Sequence, residues 1–374
     1  MRKSIVFIIL LTLLSVAVVP CRAVDYDDLS AVVMVGNTGE LSYNQNPHKR
    51  LPMASTTKIM TAIIAIENLP DLDILVNVPK EACGIEGSSI YLYENEIISA
   101  EALLYGLLLD SGNDAAVALA ISVGESLDGF VSMMNSKAGE LGLENTHYMN
   151  PHGLSVESHY TSAFDLATLM RYCMQNETFK KIVSTQNISF EMPDGTTRYF
   201  SNHNKLLRRY DHCIGGKTGY TKVAGRCLVT CAEKDGVQLI CVTLGAYDDF
   251  NIHTNFYEQY FGQYKMYDVN EDEAYSIDIV GSLIPYVQAV PSGKLSIPLL
   301  KPGDINNITK NVETYGIVYA PIEEGQILGS ITYYYNGEFV QSFELISIND
   351  AESVKKTSII SRILEFIRSL FVKE

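Results

Sequence analysis

No group of cysteines and histidines in this 374-residue chain has the spacing of a metal site, and neither a metal nor a cofactor is expected. Positive charge is scarce. The chain has 28 Lys and Arg against 44 Asp and Glu, a formal net charge of −16. A nucleic-acid partner needs a basic face, so that class is excluded. Low-complexity stretches are absent, and 47% apolar with 19% charged residues is ordinary for a globular protein. A disulfide framework is also missing. Cys83, Cys173, Cys213, Cys227, Cys231 and Cys241 have no regular spacing, and several lie inside apolar runs. They read as buried free thiols, with one bridge among Cys227, Cys231 and Cys241 as the alternative.

The apolar run Ile5 to Val19 is short for a membrane span. Arg2 and Lys3 precede it and Cys21-Arg22-Ala23 follows, which is the pattern of an export signal over residues 1–23. A mature chain from Val24 carries 25 basic against 44 acidic residues, a net charge of −19. An uncleaved N-terminal anchor is the alternative. A lipoprotein reading of Cys21 is weakened by Pro20, where a small residue belongs.

The body of the chain changes style twice. Ala31 to Val35 and Glu40 to Tyr43 read as strands around the turn Gly36-Asn37-Thr38-Gly39. Ser55 then opens an apolar helix to about Asn68, with Met60, Ile63, Ile64 and Ala65 on its buried face. A helix-rich stretch follows. Ser99 can cap a helix through Leu109, Asp114 and Asp165 can cap two more, and Phe164 to Met174 continues the pattern. Arg226 to Ala232 and Val237 to Leu244 read as a hairpin around Lys234-Asp235-Gly236, and Phe250 to Gly262 as a closing helix. Strands at both ends of residues 24–262 therefore flank a helical middle. This implies an α+β unit, one sheet with helices on its faces plus a helical subdomain. Residues 263–350 are rich in Val, Ile, Tyr and turn residues and read as a small all-β domain. In the tail, residues 351–374, Ile359, Ile360, Ile363, Leu364, Phe366, Ile367, Leu370 and Phe371 fall on one helical face. From Ser353 to Glu374 five basic residues oppose only Glu365 and Glu374. A basic amphipathic helix of this kind can lie on an anionic membrane surface. A helix docked on its own protein, or a dimer contact, is the alternative.

Three short motifs occur in order: Ser55-Thr56-Thr57-Lys58, Ser111-Gly112-Asn113 and Lys217-Thr218-Gly219. Each alone is weak. Ser353 and Lys356 repeat the first spacing, and Ser42-Tyr43-Asn44 and Ser347-Ile348-Asn349 the second. Singly, Ser55 can be a helix cap, the two lysines solvated charges and residues 111–113 a turn. Together they supply a chemistry. Residues three apart on a helix lie on one face, so Ser55 and Lys58 meet without help from the rest of the fold. A serine hydroxyl needs a base, and a lysine becomes one when burial or a neighbouring cation lowers its pKa. Lys217 is the candidate cation. Ser111 can relay a proton from Lys58 or Lys217 to a leaving group. Asn113 can orient Lys58 and hold a substrate amide. Gly219 permits close approach of an extended substrate, and Lys217 and Thr218 can bind a carboxylate. The backbone N–H groups of Ser55 and Tyr220 can hold an oxyanion. His152, in Asn150-Pro151-His152-Gly153-Leu154, reads as a loop-pinning residue.

With these residues the chain resembles the serine-type D-alanyl-D-alanine carboxypeptidases, the low-molecular-mass penicillin-binding proteins. The resemblance extends over Ala54 to Ala62, Gly87-Ser88-Ser89, Ser111 to Ala116, Asn150 to Leu154, Asn202-x-Asn204-x-Leu206, Lys217 to Thr221 and Ala224-Gly225. It implies a catalytic domain similar to the serine β-lactamases and transpeptidases, followed by a small all-β domain and a C-terminal amphipathic helix. It further implies removal of the terminal D-alanine from peptidoglycan stem peptides ending in D-Ala-D-Ala, through an acyl-enzyme on Ser55 that β-lactam antibiotics also form. Lys58 would be the general base, with Ser111, Asn113 and Lys217 as partners. The enzyme would be exported and held at the outer face of the cell membrane by its tail. Three positions depart from the family pattern. Tyr220 stands where some members have histidine, and Asn95 stands where glycine is common. A basic residue that often helps hold the substrate carboxylate after the last strand is not obvious, and His253 is the nearest candidate. A class A β-lactamase shares the motifs, but no E-x-x-L-N string occurs between Ser111 and Lys217. A non-catalytic penicillin-binding sensor or scaffold is the other alternative.

Overall fold

The computed structural model describes residues 29–269 and 273–354, together with Ile363, Leu364, Phe366 and Ile367. The export signal and most of the amphipathic tail lie outside the described residues.

β1 (Ser30–Val35) and β2 (Leu41–Gln45) form the first hairpin. A 3₁₀ turn at Ala54–Thr57 leads into α1 (Lys58–Asn68). A short pair, β3 (Leu75–Asn77) and β4 (Ile97–Ser99), precedes α2 (Ala100–Leu108), α3 (Asn113–Gly124) and α4 (Leu127–Glu140). Next come α5 (Ala163–Cys173), α6 (Glu177–Ser184), the hairpin β5 (Asn187–Glu191) with β6 (Thr197–Ser201), and the short α7 (Leu206–Arg209). The chain returns to the sheet as β7 (Cys213–Thr221), β8 (Gly225–Lys234) and β9 (Val237–Leu244), then closes with α8 (Asp249–Tyr260).

The sheet runs β2-β1-β9-β8-β7, and every pairing is antiparallel. Alternation along the strands builds two cores. Val32, Met34, Val229, Cys231, Ile240 and Val242 pack against the helices that follow β2. Val33, Val35, Leu239 and Cys241 point the other way, onto Tyr257, Tyr260 and Phe261 of α8 and its extension. β1 is therefore buried at all six positions, which explains its unbroken apolar run. β7 is the last strand of the sheet order. α1 passes through the middle of the first core, and its residues Lys58–Ala65 are all buried.

The thiols of Cys83, Cys173, Cys213, Cys227, Cys231 and Cys241 are free. The sheet explains why Cys231 and Cys241 do not pair. Cys241 lies opposite Thr230, so its side chain emerges on the face away from Cys227 and Cys231.

Some caps differ from expectation. Ser99 caps α2, its side chain accepting from the Ala102 N–H. Asp165 does not cap its helix. Ser162 does, while the Asp165 carboxylate accepts from the Asn145 N–H and the Thr146 hydroxyl. Asp114 is likewise inside its helix, whose N-cap is Gly112. Its carboxylate instead gathers the Ile90 and Leu92 N–H groups and the Ser89 hydroxyl.

Beyond α8 the described residues up to Ser347 are mainly strands. A six-stranded sheet contains β11 (Tyr275–Val280), β12 (Tyr286–Pro291), β14 (Ile308–Thr314), β15 (Ile317–Tyr319), β16 (Ile327–Tyr335) and β17 (Glu338–Ser347). A two-stranded pair, β10 (Lys265–Val269) with β13 (Leu295–Leu299), contributes to the same core through Leu295 and Val269. Arg171 on α5 donates to the Phe339 carbonyl at 2.7 Å and to Gly36 at 2.8 Å, linking the two regions. Among the described residues no single helix is long and apolar enough to cross a membrane.

Candidate active site

Ser55 lies in the 3₁₀ turn that precedes α1, not in the α-helix proper. Side chains three apart eclipse in a 3₁₀ turn, which places Lys58 directly beside Ser55. The turn is entered through Ala54 at φ +48°, a left-handed conformation that is costly for a residue with a Cβ. Gly153 sits against it. A Cβ on Gly153, whose own φ is +90°, would lie on the Ala54 carbonyl. This loop also binds α1 through its backbone, as the Pro151 carbonyl accepts from the Thr61 hydroxyl at 2.6 Å.

The Lys58 amine is fully buried and reaches three oxygens: Ser55 Oγ at 3.0 Å, Asn113 Oδ1 at 2.7 Å and the His152 carbonyl at 2.6 Å. His152 thus meets Lys58 through its carbonyl oxygen. Its ring nitrogen Nδ1 accepts from the Leu154 N–H, and burial, then the Lys58 charge, push its pKa down to about 4. Ser111 adopts φ +63° between α2 and α3, and its hydroxyl is 3.0 Å from the Lys217 amine. Lys217 also donates to the Thr218 carbonyl at 2.9 Å. The three motifs, from distant stretches, therefore converge on one crevice.

Charge follows burial. Desolvation pushes the Lys58 pKa well below its ordinary value; the Lys217 charge pushes the same way and Asp114 partly opposes. Burial lowers Lys217 to about 7, with Asp110 opposing. Both amines are thus pushed toward the neutral form, and on Lys58 the Lys217 charge adds to the effect of burial.

A cleft of about 300 Å³ opens over this cluster. Ser55, Ser111, Thr218, Gly219 and Tyr220 line it. The Tyr220 side chain is largely exposed, while Gly219 lies flat against the Ser55 turn. A Cβ on Gly219 would come 3.0 Å from the Ser55 nitrogen. Asn95 does take a left-handed conformation, at φ +64°.

His253 is not at the cleft. It is fully buried in α8 behind the sheet, between the Thr230 and Thr243 hydroxyls at 2.6 Å and 3.1 Å, and burial lowers it to about 3. That placement removes it as a carboxylate-holding residue. Instead, Arg226, His203 and Lys205 line the cleft, and none of them belongs to a motif.

Residues 18–248 match the family described as D-alanyl-D-alanine carboxypeptidase. The chain belongs to this family, which is one of serine peptidases. Residues 261–353 match the C-terminal domain described for penicillin-binding protein 5. The chain is 32% identical to D-alanyl-D-alanine carboxypeptidase DacF of Bacillus subtilis, over 89% of this chain and 87% of that one. It is 28% identical to DacC of Escherichia coli, over 94% of this chain and 90% of that one. The crystal structure of penicillin-binding protein 5 from Haemophilus influenzae superposes with a TM-score of 0.62 at 26% identity, covering 87% of this chain and 97% of that one. The fold is thus a penicillin-binding catalytic domain, an antiparallel sheet with helices, followed by an all-β domain. The protein is a serine-type D-Ala-D-Ala carboxypeptidase of the cell wall.

Proposed function

We propose that the enzyme removes the terminal D-alanine from peptidoglycan pentapeptides through an acyl-enzyme on Ser55, and that penicillins acylate the same hydroxyl. One observation carries this reading. Lys58 meets two carbonyl-type acceptors and one hydroxyl. A neutral amine has two N–H donors and one lone pair. Donation to Asn113 Oδ1 and to the His152 carbonyl uses both donors and leaves the lone pair for the Ser55 proton.

The steps then follow. Ser55 Oγ attacks the carbonyl of the penultimate D-alanine while Lys58 accepts the hydroxyl proton. The Ser55 and Tyr220 N–H groups hold the oxyanion, a contribution of about 10²–10³ in rate for each donor. Ser111 gives its proton to the departing amine nitrogen and recovers one from Lys58, which is then neutral again, while Lys217 keeps its charge beside the Ser111 hydroxyl. The C–N bond breaks and D-alanine leaves. Lys58 then deprotonates a water that cleaves the ester and restores Ser55. Thr218 and Gly219 lie along the bound peptide. No cofactor enters any step. The export signal places the enzyme outside the cytoplasm, and the basic amphipathic tail holds it to the outer face of the membrane.

Ser55→Ala tests the centre of this reading. The variant should fold, fail to be labelled by a fluorescent penicillin, and release no D-alanine from a D-Ala-D-Ala peptide. Retained stoichiometric labelling would remove Ser55 as nucleophile.

A further inference from the structure

We propose that His159 is a positioning residue for the nucleophile turn, aiming the Ser55 N–H at the oxyanion through Thr57 and the Ala54 carbonyl. The inference rests on the acyl-enzyme reading above and adds a residue to it. His159 stands outside the three motifs, in the loop that also brings Gly153 and the His152 carbonyl to the site. It is 2% exposed, and no step of the reaction above uses it.

The direction of its hydrogen bonds is fixed from both ends. The Met149 N–H donates to His159 Nδ1 at 2.9 Å, so that nitrogen carries no proton. Burial, and then electrostatic opposition from His152, His147 and Lys58, lower the ring's pKa to about 3. A neutral ring with a bare Nδ1 has its proton on Nε2. At the other end the Thr57 hydroxyl gives its single proton to the Ala54 carbonyl at 2.8 Å. Thr57 Oγ1 therefore accepts from His159 Nε2–H, also at 2.8 Å. The backbone on either side holds the ring in place. Tyr160 pairs with His147, and Thr161 with Leu51, four residues before Ser55.

This series of bonds ends on the peptide that carries an oxyanion donor. The Ala54 carbonyl and the Ser55 N–H belong to one planar trans unit, so holding the first aims the second in the opposite direction. The peptide needs holding, because Ala54 sits at φ +48°, where a residue with a Cβ is strained. A Thr57 hydroxyl that itself receives the His159 proton is polarised, and it binds that carbonyl more strongly than a lone hydroxyl would. Gly153 leaves room for the bond. A Cβ there would lie on the Ala54 carbonyl and 2.9 Å from Thr57 Oγ1. Thr57 is fully buried, so water does not replace either partner.

The test measures penicillin acylation of the whole chain, resolved into a binding constant and a first-order rate constant for acylation. His159→Leu and Thr57→Val should each lower the rate constant by about 10–100-fold, less than the roughly 10²–10³ for losing an oxyanion donor outright. Binding should change by less than about threefold. The double variant should be no slower than Thr57→Val alone, because the two side chains act in series. His159→Gln, whose amide N–H stands near the place of Nε2, should recover part of the rate. His159→Asn, one carbon shorter, should not. The affinity of an alkylboronic acid, whose tetrahedral adduct on Ser55 sets an oxygen at the same donor, should fall with the rate constant. Stoichiometric end-point labelling shows that each variant is folded, and the Gln and Asn pair decides the matter where His159→Leu is not. Multiplicative losses in the double variant, a loss confined to binding, or equal rates in the Gln and Asn variants would overturn the proposal. A wild-type protein that penicillin does not label would bring down the Ser55 reading itself.

Discussion

Lys58 and Lys217 bring the same side chain into one crevice, and their surroundings give them different work. Burial lowers both, but Asp110 favours the charge on Lys217, and that charge works against a proton on Lys58. The sign can be tested. Lys58 must be neutral to accept the Ser55 proton, so acylation falls on the acid side of its pKa. Removing the cation in Lys217→Met lets Lys58 keep its proton to higher pH. The acidic limb of the penicillin acylation profile should then move up by on the order of one pH unit, besides a loss of rate. An unchanged limb would mean that desolvation alone sets the Lys58 pKa. At this scale the motifs were legible, since each residue of the base system lies in one of three short strings. Arg226 was not. A lone arginine carries no motif, and its place follows only from the register that sets it opposite Tyr220. The burial of His253 has a sequence signal, because His253, Tyr257 and Tyr260 lie on one helical face, as a buried stripe does.

Among the elements, the entrance to α1 matters most. The sequence predicts an α-helix opening at Ser55, whereas a left-handed Ala54 and one 3₁₀ turn open it. Neither is readable locally. Alanine does not announce a positive φ, and the turn is held by Gly153, almost a hundred residues on. β7 completes the arrangement by running its glycine against the same turn. Gly219 pairs regularly with Cys227, so alanine is compatible with the strand backbone itself. Its Cβ would nonetheless sit 3.0 Å from the Ser55 nitrogen and 3.1 Å from the Ala54 Cβ. Gly219→Ala should therefore slow penicillin acylation by about 10²–10³-fold, the value of one oxyanion donor. Its melting temperature should stay close to wild type. Wild-type acylation by a variant of unchanged stability would show that the oxyanion is held elsewhere.

At the scale of the whole molecule, the all-β region carries the end of the described chain. Val354 donates to the Gly281 carbonyl at 2.7 Å, so the tail departs from that region and not from the catalytic sheet. The body is strongly acidic, whereas the tail is basic with one apolar face. Under the anchoring proposed above, an anionic bilayer would repel the first and attract the second. Deleting residues 353–374 should release the protein from vesicles containing anionic lipid in a flotation assay, with D-alanine release unchanged. Persistent flotation would assign membrane contact to another surface.

The sequence by itself determined the chemistry and the order of the parts. A nucleophile and base three residues apart need only a helical turn, and strand alternation needs only its period of two. Tertiary structure decided which charges survive and where substrate can be held. Burial is a property of the assembled core: with the Lys217 charge it pushes Lys58 toward the neutral form, by itself it lowers His253, and it leaves Arg226 at the surface. Strand register and a distant glycine then fix the backbone around Ser55, because both depend on residues that meet only when the sheet closes.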